Sequence, residues 1–251
     1  MFVVFYSPAL GIELSQLVRT KPSPICLQFI WKANHHSVEG LDVQEASKSG
    51  SLDGGGHTDI ARKATNLRRH IFELQDVVSS VARCEKPVIA LLHGYTFGLG
   101  IDLATACDIR FAETNTKFSV KEVDIGLAAD VGTLSRLPKV TGGITSWVKE
   151  VTLSARVFTA EEALKNNLVS RVVNGKDALI KEGLEFAKYI STKSPVAVQG
   201  TKNILDAAWG RTVEDNLNYT GVWNAGMLQT SDVSRAMLSG LQKRTPTFEK
   251  L

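Results

Sequence analysis

Residues 86–134 read KPVIALLHGYTFGLGIDLATACDIRFAETNTKFSVKEVDIGLAADVGTL, and the order of residue types in this stretch decides the fold. Val88–Leu92 is an unbroken apolar run, the pattern of a strand buried on both faces. Gly94, Gly98 and Gly100 then form a turn that leads into a helix over 101–106, and residues 109–112 resume as strand. Three acids, Asp102, Glu122 and Asp130, bracket this apolar, glycine-rich segment. A carboxylate among apolar neighbours acquires a raised or coupled pKa, which is what proton transfer at carbon near neutral pH requires.

Working outward, Ile60, Leu67, Ile71, Leu74, Val78 and Val81 recur at helical spacing, so 59–83 reads as an amphipathic helix ending before Lys86-Pro87. Residues 1 to about 60 are irregular, with prolines at 8, 22 and 24 and a flexible run, SKSGSLDGGGH, at 47–57. The pair His35-His36 has no acid or cysteine at ligand spacing and reads as loop surface, so no metal site is expected. Downstream, Thr159–Glu162 reads as a capping box opening a helix through Leu164, and LVSRVV at 168–173 reads as strand. Helical periodicity then dominates over 177–190, 196–208, 213–227 and 232–242, with Pro195 at the start of the second of these helices. Strand and helix alternate early and helices alone follow late, which predicts an α/β core with a helical C-terminal part.

Composition narrows the function. With 251 residues, 43% hydrophobic and 22% charged, the chain can bury a large core. The net charge of +3 is spread among nearly as many acids, leaving no basic stripe for nucleic acid. Cys26, Cys84 and Cys107 lack metal-ligand spacing and cannot all pair, which fits a reducing compartment. The apolar start, MFVVFYSPALGIELSQLV, is broken at Pro8 and Gly11 and carries Glu13, too short to span a bilayer.

The glycines run G-x-x-x-G-x-G, not the G-x-G-x-x-G of a dinucleotide site. Their turn still presents backbone N–H groups at a helix N-terminus, where a developing oxyanion can be held. Each acid also has a purely structural account. Asp102 sits in a first helical turn and suits the helix dipole, Glu122 is placed to pair with Lys121 or another surface base, and Asp130 can cap a helix starting in VGTLSRL.

KPVIALLHG, GIDLATACDIRFA, KEVDIGLAADVGTLSRLPKV and the later KSPVAVQGTK together closely resemble the crotonase (enoyl-CoA hydratase/isomerase) superfamily, over residues 59 to 251. Enoyl-CoA hydratases have two glutamates at the sites matching Asp102 and Glu122 and generally glycine at the site of Asp130. The Δ3,5-Δ2,4-dienoyl-CoA isomerases of the superfamily have Asp, Glu and Asp at these spacings, and this chain resembles them at all three. The resemblance implies a ββα spiral core over 59–175, a C-terminal helical region over 176–251 that builds trimers or hexamers, and a divergent segment over 1–58. It further implies a thioester substrate whose coenzyme A is part of the substrate, with no other cofactor. Asp130 would take a proton from C2 and Glu122 deliver one at C6, while Asp102 tunes or positions the pair. The oxyanion donors would be the amides of Leu41, in EGLDV, and Leu99, beside Gly98 in FGLGID.

Two departures stand out. The family has Gly-Gly-Gly where this chain has Gly98-Leu99-Gly100, and PSPICLQFIWKANHHSVEG stands where a strand and a small-residue turn are expected. The second departure is the expected mark of a shortened form, and a catalytically weak subunit that assembles with a complete relative is one reading of it. A hydratase or a Δ3-Δ2 isomerase is the nearest enzymatic alternative. Members of the family occupy peroxisomes and mitochondria, and Glu249-Lys250-Leu251 differs at one position from a peroxisomal Ser-Lys-Leu ending.

Overall fold

A computed structural model describes the backbone of residues 25–29 and the whole of residues 59–251. The histidine pair, Leu41, the 47–57 run and the apolar start lie outside the described residues.

The first described element corrects the reading of the N-terminal segment as irregular. β1, Ile25–Phe29, pairs in parallel with β2, Val88–Leu92, so ICLQF supplies a strand within the stretch whose sequence did not match expectation. β4, Ile109–Glu113, and β7, Arg171–Val173, extend the sheet in parallel to the order β1-β2-β4-β7. The predicted strand at 168–173 is thus confined to its last three residues. Leu168 and Val169, ahead of the strand, are buried in the core.

β2 shows why its apolar run is unbroken. Val88, Ala90 and Leu92 face a large core cluster, whereas Ile89 and Leu91 face a second cluster with Phe111, Leu179 and Ala187. Alternate side chains of a strand point to opposite faces, so a strand covered on both sides must be apolar throughout. The large cluster is closed by α1, Ile60–Ala82, through Val78 and Val81, and by α2, Leu99–Ala106. The second cluster is closed by α6, Lys176–Ile190. Asp59 caps α1 by accepting the Arg62 N–H at 2.8 Å.

A smaller sheet of β3, Tyr95–Phe97, β5, Lys117–Ser119, and β6, Phe158–Thr159, stands beside the first. The residues read as a glycine turn therefore contain a strand, and α2 begins at Leu99, two residues earlier than its sequence pattern indicated. Three residues are too few for a period-2 signal, and ladder pairing with β5 supplies what local propensity lacks. Phe118 and Phe158 stack at 5.4 Å between centroids, and Trp147 of α4, Ser146–Ser154, meets Phe158 edge-on at 5.3 Å.

Thr159 caps α5, Ala160–Lys165, by accepting the Glu162 N–H, which is half of the expected capping box. The Glu162 carboxylate turns instead to Arg156 and to the Trp147 indole N–H. The remaining helices are α7, Pro195–Ala207, α8, Val213–Met227, and α9, Ser231–Leu241. α7 is anchored by Lys202, whose buried ammonium donates to Asp108 Oδ2 at 2.8 Å; the same oxygen accepts the Val88 N–H at 2.6 Å. One carboxylate thus ties a C-terminal helix to the start of the central strand.

Candidate active site

The site is built from three segments that leave the sheets in sequence: the β3–α2 turn, a 3₁₀ turn at Glu122–Ile125, and the loop into α3, Thr133–Val140. Gly98 makes the first possible. Its φ of 49° lies in the left-handed region that favours glycine, and it turns the chain from β3 directly into α2. Its own amide donates to Ser119 O at 3.0 Å, so Gly98 is a turn residue whose N–H is already occupied. The first intrahelical i−4 bond of α2 is Asp102 N–H to Gly98 O, which leaves the Leu99 amide among the donors that a helix cannot satisfy within itself.

Asp102, in the first turn of α2, is only 2% exposed. Its Oδ1 accepts both the backbone N–H of Thr133, at 2.5 Å, and the Thr133 hydroxyl, at 2.8 Å. Asp102 therefore does more than complement its own helix. It caps the N-terminus of α3, a helix that starts 31 residues later in the chain. The expected capping role of Asp130 is corrected accordingly: the residue at the start of α3 is Gly132, with no side-chain cap of its own. Burial pushes the Asp102 carboxyl up, against the two Thr133 hydrogen bonds and the Arg136 charge, while Asp130 pushes it further up.

Glu122 has the opposite surroundings. Lys121, expected to pair with it, bonds Asp124 at 2.8 Å instead, because the 3₁₀ turn puts residues three apart on one side. Glu122 Oε2 is buried with no hydrogen-bond partner among the described residues. Burial is the main reason that its carboxyl is pushed up to about 7, and the charges of Asp102 and Asp130 add to the effect. That mutual influence brings all three predicted acids into one electrostatic unit, although 28 residues separate the first from the last. Asp130 itself is exposed, and the Gln75 amide of α1 holds its backbone carbonyl at 2.6 Å.

Thr133, Arg136 and Gln75 were not singled out in the sequence. Thr133 could have been found, since a threonine after glycine at a helix start is a capping signal, but its partner lies on another helix. Gln75 and Arg136 carry no local signal, because what they touch is distant in the chain.

A buried aspartate and a half-buried glutamate whose carboxyl is pushed up to about 7, within electrostatic reach of an exposed third acid, can move protons at carbon, and the helix-start amide of Leu99 can polarise a carbonyl. Residues 52–250 match the Enoyl-CoA hydratase/isomerase family. The chain belongs to that family.

Within the enoyl-CoA hydratase/isomerase family, the chain is 45% identical over 217 residues to the "Delta(3,5)-Delta(2,4)-dienoyl-CoA isomerase, mitochondrial" of Mus musculus, covering 85% of this chain and 65% of the mouse protein. It is 39% identical over 219 residues to the "Delta(3,5)-Delta(2,4)-dienoyl-CoA isomerase, peroxisomal" of Arabidopsis thaliana, covering 87% of this chain and 78% of that one. The chain thus spans about two thirds of the length of the mammalian relatives, 65% in each of mouse, rat and human. The crystal structure of an enoyl-CoA hydratase from Bacillus anthracis superimposes with a TM-score of 0.81 at 23% identity, over 97% of this chain and 90% of that one. The expected crotonase-like α/β fold is therefore the observed one.

Proposed function

We propose that this enoyl-CoA hydratase/isomerase family member converts a 3,5-dienoyl-CoA to the 2,4-dienoyl-CoA during fatty-acid β-oxidation. The observation that carries this reading is Glu122: a half-buried carboxyl with one buried oxygen that has no hydrogen-bond partner among the described residues, pushed up to about 7 by burial and by two further carboxylates. At neutral pH a large share of it is protonated and able to deliver a proton.

Asp130 would remove a proton from C2 while the thioester carbonyl accepts the Leu99 amide, and charge moves through the diene onto that oxygen. Glu122 would then protonate C6. The C3=C4 and C5=C6 double bonds become C2=C3 and C4=C5, with one proton lost and one gained. Asp102, its oxygen committed to Thr133, holds the start of α3 and acts on the other two through its charge. Leu41 is proposed as the second carbonyl donor from its position in EGLDV. The names of the similar isomerases support this substrate, and coenzyme A enters with it. The compartment is proposed to be one of the two those names carry, peroxisome or mitochondrion.

A homo-trimer or hexamer is proposed as well. Leu217 and Val222 of α8, 65% and 78% exposed, and Met237 and Leu241 of α9, 67% and 82% exposed, support a second copy as the cover for these faces.

The test follows the ultraviolet absorbance of the conjugated diene as purified protein acts on a 3,5-dienoyl-CoA. Asp130→Asn and Glu122→Gln are expected to lower kcat by about 10²- to 10⁴-fold each, the range of a lost general base or acid. Hydration of a 2-enoyl-CoA without diene isomerisation would instead identify a hydratase.

A further inference from the structure

We infer that Arg136, which the reading above gives no part, is a positioning residue of the carboxylate site: its guanidinium, lodged in the notch that Gly132 leaves, is the counter-charge that seats Asp102. The inference rests on the proposed proton-transfer role of the carboxylates.

Residue 132, at the start of α3, is glycine. Its φ of 163° is extended backbone that any residue adopts, so conformation does not demand it. Space does. A Cβ built at Gly132 would lie 1.9 Å from Arg136 Nη1 and 3.6 Å from Asp102 Oδ1. The guanidinium and the carboxylate therefore flank one small volume, and a side chain at 132 would enter it. Arg136 reaches this place from one turn into α3, and its other terminal nitrogen, Nη2, donates to Ser79 Oγ on α1 at 2.7 Å. Nη1 is buried and has no hydrogen-bond partner among the described residues. A guanidinium held in that state costs free energy unless charge nearby offsets it.

Two charges from two other elements, together with burial, act on Arg136. Arg83, just past the end of α1, opposes it; Asp102, on α2, favours it; burial opposes it most. In return Arg136 favours the charged form of Asp102, whose Oδ1 accepts from Thr133 rather than from Arg136. The pair acts through space, at a separation where the low polarity of the surroundings strengthens it. Asp102 in turn is one of the two charges that push the Glu122 carboxyl up. Arg136 has no direct contact with the reacting atoms in this scheme. It works through Asp102.

Two variants and a control test this. Arg136→Met removes the charge, Arg136→Lys retains it, and Gly132→Ala leaves the arginine in place but drives its flexible end out of the notch. Carboxyl ¹³C NMR on aspartate-labelled protein, with Asp102→Asn assigning the resonance, reads the Asp102 midpoint without any activity. It is expected to move upward in pH in Arg136→Met and in Gly132→Ala, and to stay near the wild-type value in Arg136→Lys. Diene isomerisation is expected to fall about tenfold in the first two, within the loss that a small misplacement of a catalytic group brings. An unmoved midpoint in both folded variants would overturn the inference, whatever the activity. Moved midpoints in the two variants, beside a wild-type protein without isomerase activity, would leave the Arg136–Asp102 coupling standing and overturn the proposed reaction.

Discussion

Around α2 every large apolar side chain of the helix but its first is packed away, whereas on α8 not one residue is buried. Ile101 and Leu103 are 0% and 3% exposed; Leu217 and Val222 are 65% and 78% exposed. Both helices carry large apolar side chains, so their presence does not separate the two. Position does: α2 lies between the sheet, α1 and α3, while α8 packs on α7 at the outside of the molecule. Apolar area left in water costs about 25 cal/mol per Å² relative to its burial, which is the drive for a further surface to cover it. The difference teaches that the apolar side chains around Asp102 are buried by elements of the same chain, while those of α8 stay exposed on it.

The strongest way to break this contrast is to remove volume from the completed side. Phe118→Ala takes away a ring that is fully buried and stacked on Phe158, and a loss of about 3–5 kcal/mol is expected in urea unfolding. A loss under about 1 kcal/mol would mean that this core tolerates a cavity and is not tightly packed.

Glu122→Gln sharpens the comparison at the site itself. The folded-state value of about 7 lies above the ordinary 4.5, so the folded protein holds this proton more tightly than the unfolded chain. Wild-type stability is then lost as pH rises from about 4.5 to 7. The amide of the variant carries no such charge, and after allowance for partial exposure the variant should exceed wild type by about 1 kcal/mol at pH 8. Below pH 4.5 the two should converge, and thermal unfolding across that range reads the difference. Parallel curves would show that Glu122 is not buried as an isolated acid.

On the uncovered side, Leu217→Asp with Val222→Asp should change the folding free energy of a single chain by no more than about 0.5 kcal/mol, as surface substitutions do. The same double variant should sediment as a monomer, and the wild type is expected to sediment as the proposed trimer or hexamer. Equal masses for both would overturn α8 as a subunit contact.

Much of the fold was legible because it repeats locally. The unbroken run at Val88–Leu92, the helical spacing before it and the four late helices all lie in register with the observed elements. What escaped was short or paired at a distance. β3 has three residues and owes its form to β5, and β1 owes its place to β2. The acids were legible as residues in apolar company, but their pairings were not. Lys121 lies next to Glu122 in sequence and bonds Asp124, and Asp130 lies two residues before Gly132 without capping the helix.

By itself the sequence determined that a buried strand, a glycine turn and a helix carry an acid into the interior, because periodicity and glycine placement act over a few residues. Only the tertiary structure decided what that acid does there. Asp102 meets Thr133 and the charge of Arg136 because α3 is folded against α2, and Glu122 is driven toward neutrality because water is excluded around it. Desolvation and long-range charge depend on which segments pack together, and no local pattern of residues encodes them.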